Sequence, residues 1–408
     1  NVVREDPVRK GMLYAGTERQ VYVSLDDGEN WQSLRVNMPA TSIRDLIVKN
    51  DDLAVATHGR GFWILDNVTP LRQLESLRAT HLFTPQAALR VRWNLNTDTP
   101  LPPDEASQEN PPDGAAIDYY LASSAKDVEL EIKDEIGRLV RRYTSDDVLP
   151  EPKDTNNVPA YWIRRPQKLS NLAGAHRFYW DLHYAPVPGV PPDYPISANY
   201  GNTAPIATGP WVHPGKYKVE LRVDGKEHTE TIEIKMDPRV RAMEAALKKQ
   251  FDLSMQLYEL RIKLEQANQQ VNSLASQLDA ARKSPAPAVA TQVDALVKKL
   301  NALAENPGRR PGSQLSLAVI DRVVSLFDRL QEVDAEPTTS VETATLESVK
   351  KGNDTLAQLD AIIKSDVAAM QDLFKANNLE PLKLTSLQVK YHLVGDEDDD
   401  DDDPRAKP

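Results

Sequence analysis

Two stretches of this 408-residue chain carry the side chains most able to grip a ligand. His58-Gly59-Arg60-Gly61 lies between two strand-like runs, and the Arg60 guanidinium could hold a carboxylate through two parallel N–H bonds, with His58 as its companion contact. The same four residues suit a plain hairpin turn in which both glycines supply unusual backbone angles. The second stretch is aromatic, with Tyr179, Trp180, Tyr184, Tyr194, Tyr200 and Trp211. Trp180, Tyr184 and Trp211 are candidate platforms for stacking on sugar rings; the alternative is a sheet core with a loop laid over one face. Asp26/Asp27, Asp45 and Asp51/Asp52 offer carboxylates, but glycoside hydrolysis needs two carboxyls held ~5–9.5 Å apart across a cleft. Acids further along the chain fall mostly at solvated or helical-surface positions, where nothing is expected to raise a pKa toward a general-acid value.

Composition removes other chemistries. With no Cys there are no thiol nucleophiles, disulfides or Cys-ligated metals. The seven His form no H-x-x-x-H or H-E-x-x-H pattern, and G-x-S-x-G and a phosphate loop are absent, so no metal or cofactor is expected. The net charge is −12, and eight acids are packed into residues 396–403, which reads as a solvated tail. No basic stripe with interleaved aromatics appears, which argues against nucleic acid as a partner. No run of ~18 apolar residues exists, which argues against a membrane-spanning helix.

The elements that would position these groups begin with short strands at residues 13–17, 20–24, 43–48, 53–57 and 61–65. LYAGTERQVYVSLD from Leu13 and LAVATHGRGFWILD from Leu53 repeat at a spacing of 40, so Thr17 meets Thr57, Tyr22 meets Phe62 and Asp26 meets Asp66. Repeats of ~40–45 residues with several short strands suggest propeller blades. Ser24-Leu25-Asp26-Asp27-Gly28-Glu29-Asn30-Trp31 fits the pattern S-x-D-x-G-x-x-W. Asp26 can accept backbone N–H groups of its own turn, Gly28 permits positive φ, and Trp31 can bury its ring between sheets.

VYVSLDDGENW and ATHGRGFWILDN together resemble the BNR-repeat (Asp-box) propellers, nearest to bacterial proteins of the sortilin-like kind labelled "glycosyl hydrolase". The likeness covers residues 1 to about 70. It implies that Ser24, Asp26, Gly28 and Trp31 are structural and not catalytic, and it implies a secreted, periplasmic or cell-envelope location. A propeller needs at least ~4 blades of ~40 residues, and about 75 residues are available, so further blades are expected upstream.

The rest of the chain divides as a connector with clustered prolines over 76–112, with one strand near 82–85, an all-β region over 113–236 and a helical region over 237–380. A C-terminal segment with the acidic tail covers 381–408. Strands are expected at 116–122, 128–132, 139–143, 176–182, 215–223 and 227–234, with Asp224-Gly225 as a two-residue hairpin turn. Gly174 to Asp181 (G-x-H-x-F-x-W-D) and Pro214 to Leu221 (P-G-x-Y-x-V-x-L) resemble FlgD-type Ig-like domains, which implies an Ig-like sandwich. Asp237-Pro238 reads as a helix N-cap followed by Pro at the first helical position. Helices are expected near 242–281, 288–305, 314–334 and 340–376, forming an antiparallel bundle whose long first helix leads away from the sandwich or docks on missing blades. The bundle should fold alone and residues 1–75 should not.

The expected fold class is therefore multidomain β plus α: terminal propeller blades, an Ig-like sandwich and a helical bundle. The expected function is an accessory and interaction region of a BNR-propeller protein, with the missing blades, a protein or glycan ligand and a second copy of the chain as candidate partners. The rival is the non-catalytic C-terminal part of a glycoside hydrolase whose active site lies in upstream blades.

Overall fold

The computed structural model describes residues 1–74, 79–92, 112–149, 151–155, 158–196, 201–282, 287–304 and 316–384. The proline cluster at 100–111, the helix breaks at 284–286 and 306–308, and the acidic tail lie outside the described residues. Sheets and helices segregate along the chain, so this is a multidomain β-plus-α protein.

Residues 1–74 form two antiparallel sheets. The first contains β1 (Val2–Glu5), β2 (Leu13–Gly16), β3 (Val21–Ser24) and β4 (Gln32–Ser33), in sequence order. The second contains β5 (Ile43–Lys49), β6 (Asp52–Thr57) and β7 (Phe62–Leu65). Strand alternation turns Tyr14, Val21 and Val23 toward Ile43, Leu46, Leu53 and Val55, and these close one apolar core. β1 and β4, reading VVRE and QS, are too short and too polar to announce themselves in sequence. The 40-residue repeat also slips. Ala15 pairs with Tyr22, whereas Val55 pairs with Trp63 and Ala56 with Phe62. That one-residue offset exchanges faces, so β2 buries Tyr14 while β6 buries Leu53 and Val55. A helical turn, α1 (Thr69–Arg72), covers one end of the core. Arg72 Nε donates to both oxygens of the buried Asp6 carboxylate at 3.0 and 3.1 Å, and the Tyr14 hydroxyl donates to the same group at 3.3 Å.

Two more sheets follow. β8 (His81–Leu82), β10 (Ala115–Leu121) and β13 (Gly174–Trp180) form one, in the order β13-β10-β8. β9 (Ala88–Arg90), β11 (Val128–Lys133), β12 (Leu139–Thr144), β14 (Gly215–Val223) and β15 (Lys226–Met236) form the other, in the order β12-β11-β14-β15-β9. Asp224 and Gly225 turn the β14–β15 hairpin with φ of 48° and 80°, the positive pair that a two-residue turn demands. The connector supplies β8, shorter than expected, and the unforeseen β9, which runs parallel to β15 with Ala88 opposite Ile234.

Asp237 does not begin a helix. Its carboxylate accepts the Arg239 backbone N–H at 2.9 Å and pairs with the Arg239 guanidinium, closing a local turn, and α2 (Glu244–Ala281) starts after Met243. At ~1.5 Å per residue this helix is about 57 Å long. α3 (Pro287–Ala302), α4 (Ile320–Gln331) and α5 (Thr339–Ile362) pack against it. The last expected helix is interrupted by a π-helical turn at Ile363–Val367 before α6 (Ala368–Ala376). Where α2 meets α5, Gly352 permits close approach, since a Cβ there would lie 2.7 Å from Leu260. α2 does not lead away from the sheets. The Tyr258 hydroxyl donates to the Ala185 carbonyl at 2.8 Å, and the Phe251 ring lies 5.9 Å from both Tyr184 and His213. One apolar core runs from Ile117 and Trp180 through Leu257 and Tyr258 to Phe327 and Met370. No described helix is long and apolar enough to cross a membrane.

Candidate functional site

The turn after β3 consumes its own polar groups. Ser24 Oγ donates to Asp26 Oδ1 at 2.9 Å and accepts the Gly28 N–H at 2.9 Å. Asp26 Oδ1 accepts the Asn30 N–H at 2.8 Å, and Oδ2 accepts the Asn30 amide at 2.7 Å. These bonds, led by the Asn30 side chain, hold the Asp26 carboxyl below its ordinary range. Asp27 and Gly28 take φ of 58° and 92°. Trp31 departs from the sequence expectation. It is 39% exposed and its ring lies over Gly28.

His58 and Arg60 sit exposed in the β6–β7 hairpin. Gly59 and Gly61 take φ of 76° and 71°, and Thr57 Oγ1 closes the loop by donating to the Gly61 carbonyl at 2.7 Å and accepting the Arg60 N–H at 3.2 Å. The Arg60 carbonyl accepts from Trp63 Nε1 at 3.0 Å. The loop is thus a braced turn on which His58 and Arg60 stand exposed.

The aromatic candidates separate. Trp180 and Tyr184 are core residues, not ligand platforms. Trp180 packs edge-on to Tyr217 and donates Nε1 to the His183 carbonyl at 3.1 Å. Tyr184 is drawn inward by a tight corner in which Leu182, itself buried, takes φ of 59°, a conformation costly for a bulky residue. Its hydroxyl meets Arg138 at 3.4 Å and Asp134 at 3.5 Å, and burial raises its pKa. Trp211 remains half-buried. One side of its ring lies 3.9 Å from the His183 ring, and the Arg92 guanidinium sits 5.3 Å from its centroid.

Trp211 borders a polar cluster that sequence reading missed. β9 carries Arg90 into the junction between the sheets and the helices, and Arg92 follows two residues on. Both pair with Asp334, in the turn after α4. Arg90 also donates to the Val212 carbonyl at 2.8 Å, and Arg92 binds Asp334 through Nη2 at 2.9 Å. Gln331 accepts the Trp211 N–H at 2.9 Å and donates to Ser254 on α2 at 2.8 Å. The available signal was Arg90 and Arg92 alternating with apolar residues in LRVRW, a polar spacing unusual for a connector.

Three carboxyls are perturbed by burial. Burial raises Asp118, Asp66 and Asp328, opposed by Arg177 at Asp118 and Asp66 and by Arg261 at Asp328; neighbouring Asp52 raises Asp66 further. Asp118 is saturated: it accepts Arg177 Nε at 2.8 Å and the Asn67 amide at 3.3 Å. Among the described residues no group of three or more His, Asp or Glu could hold a metal ion. This arrangement holds parts together through charge. No protein-family model and no curated protein matches the chain.

Proposed function

We propose that the chain is an accessory and interaction region of a BNR-repeat propeller protein. In this reading residues 1–74 are two neighbouring blades of a larger ring, and residues 112–236 are an Ig-like sandwich braced by the helices. Recognition of a protein or glycan falls to the completed ring, in a secreted or envelope setting.

The observation that supports this reading is the unfinished second sheet. It has three strands where its repeat partner has four, and the place corresponding to β4 is taken by α1. Its edge strand β7 holds Phe62 at 85% and Ile64 at 61% exposure, on the same face as Ile47 at 58%. An apolar sheet face beside an open edge is a surface built to be covered. Hydrogen exchange of β7 tests it, measured in this chain and in the full gene product that contains it. The reading expects β7 amides to be at least tenfold better protected in the full product. Equal protection in both, with Phe62→Asp tolerated in the full product, would overturn it.

A further inference from the structure

The junction between the sheets and α2 encloses more positive than negative charge. Arg90 and Asp334 are each 4% exposed at the side chain, and Arg92 is 20% exposed, so two guanidiniums share one carboxylate. Two imidazoles are set beside them. His213 Nδ1 lies 2.7 Å from the Pro214 carbonyl oxygen, so Nδ1 carries the proton, and Nε2 is buried with no partner. The groups facing His213 are Arg90 from β9, Lys248 and Glu244 from α2, and the Phe251 ring of α2; the Tyr217 hydroxyl binds its carbonyl at 2.6 Å. His183 lies against Trp211, with Nδ1 2.7 Å from the Asp181 carbonyl oxygen, and it faces Asp181, Arg141 from β12 and Arg92.

A neutral His213 leaves a buried nitrogen lone pair without a partner among the described residues. A protonated His213 has an unpartnered N–H and adds a further positive charge to a junction where Arg90 already faces it. We propose that this junction is an acid-sensitive latch, in which protonation of His213 and His183 loosens α2 and the turn at Asp334 from the sheets. The inference stands apart from the propeller reading. Burial draws both imidazoles below the ordinary 6.5, that of His183 to about 4. A folded-state value below the unfolded one makes the latch fully present above about pH 6.5 and progressively lost as pH falls toward 4.

Hydrogen exchange of the whole chain at pH 7.5 and pH 5, corrected for intrinsic rates, tests it. Protection across 247–261 and 208–214 should fall at least tenfold at pH 5, while 13–24 and 53–65 hold theirs. His213→Phe and the milder His213→Gln, each combined with His183→Phe, should lose most of that acid response. An unchanged response in either double variant would overturn the latch. So would imidazole C2-proton exchange showing His213 titrating at 6.5 with the junction still protected.

Discussion

The molecule has two joints, built from opposite materials. Between residues 1–74 and the sheets that follow, the described contacts are hydrogen bonds. Arg177 donates to the Asp66 and Asn67 carbonyls at 2.9 and 3.0 Å while gripping Asp118, and Gln73 exchanges two bonds with the Thr84 backbone at 2.8 and 3.0 Å. Among the described residues no apolar core crosses that joint: the two clusters of buried residues are separate. Between the sheets and the helices the reverse holds. A single apolar core passes through, and the Arg90–Asp334–Arg92 clamp is embedded in it. Polar contacts can be exchanged for water at little net cost, whereas each Å² of apolar surface uncovered costs about 25 cal/mol. The first joint is therefore one that can part, and the second is one that must stay shut or be unlatched.

The strongest challenge to this contrast is Asp334→Ala. It strands two buried guanidiniums, and the fused sheet–helix unit should lose about 3–5 kcal/mol in a denaturant titration of the whole chain, with the N-terminal sheets unaffected. A loss below 1 kcal/mol would show that the clamp is ornamental. Asp6→Ala asks the converse question. It leaves Arg72 without its buried partner and should lower an early, separate unfolding transition by about 3 kcal/mol while the later transition stays in place. A single merged transition in both proteins would mean that the joints do not differ. Asn67→Ala sharpens the point by removing the bond to Asp118 at the polar joint and two from Thr69, at a backbone φ of 57°, for about 2 kcal/mol, read as faster exchange at 66–68.

The smallest effect belongs to Asp26→Ala, which should lower the early transition alone. The carboxyl is depressed below its ordinary 3.8 by turn hydrogen bonds. Its contribution is thus present above that value and lost as pH falls through the lower folded-state value. Melting curves of variant and wild type should draw together as pH falls below 3.8. A gap that persists in acid would show that the side chain acts through its volume and not its charge.

Much of the fold could be read from local pattern. Val128–Lys133 alternates, Asp224-Gly225 marks a turn, and α2 announces itself through the spacing of its apolar residues. What escaped is what local pattern does not encode. Arg90 and Asp334 are 244 residues apart, and a three-residue parallel strand has no periodicity to detect. The aromatic run misled because Trp and Tyr serve core and ligand equally well, and only the Leu182 corner turns Tyr184 inward. Which surface the helices rest on was equally hidden. Amphipathic stripes do not say what they pack on, and α2 spends part of its stripe on Tyr184, while residues 1–74 close a core of their own.

The parallel strand β9 also sets a timetable for synthesis. Residues 1–74 close an apolar core among themselves, so that core can form as soon as they leave the ribosome. Thr84 must wait for Glu230, 146 residues later, and Arg90 for Asp334, 244 residues later. At ~5–20 residues per second that second wait lasts roughly 10–50 s. Through it, an unpaired three-residue edge and two guanidiniums without their carboxylate hang between a finished N-terminal unit and an emerging chain. Force measurements on stalled nascent chains should record one early pull from residues 1–74, a long silence, and a second pull only after the turn at Asp334 has cleared the exit tunnel.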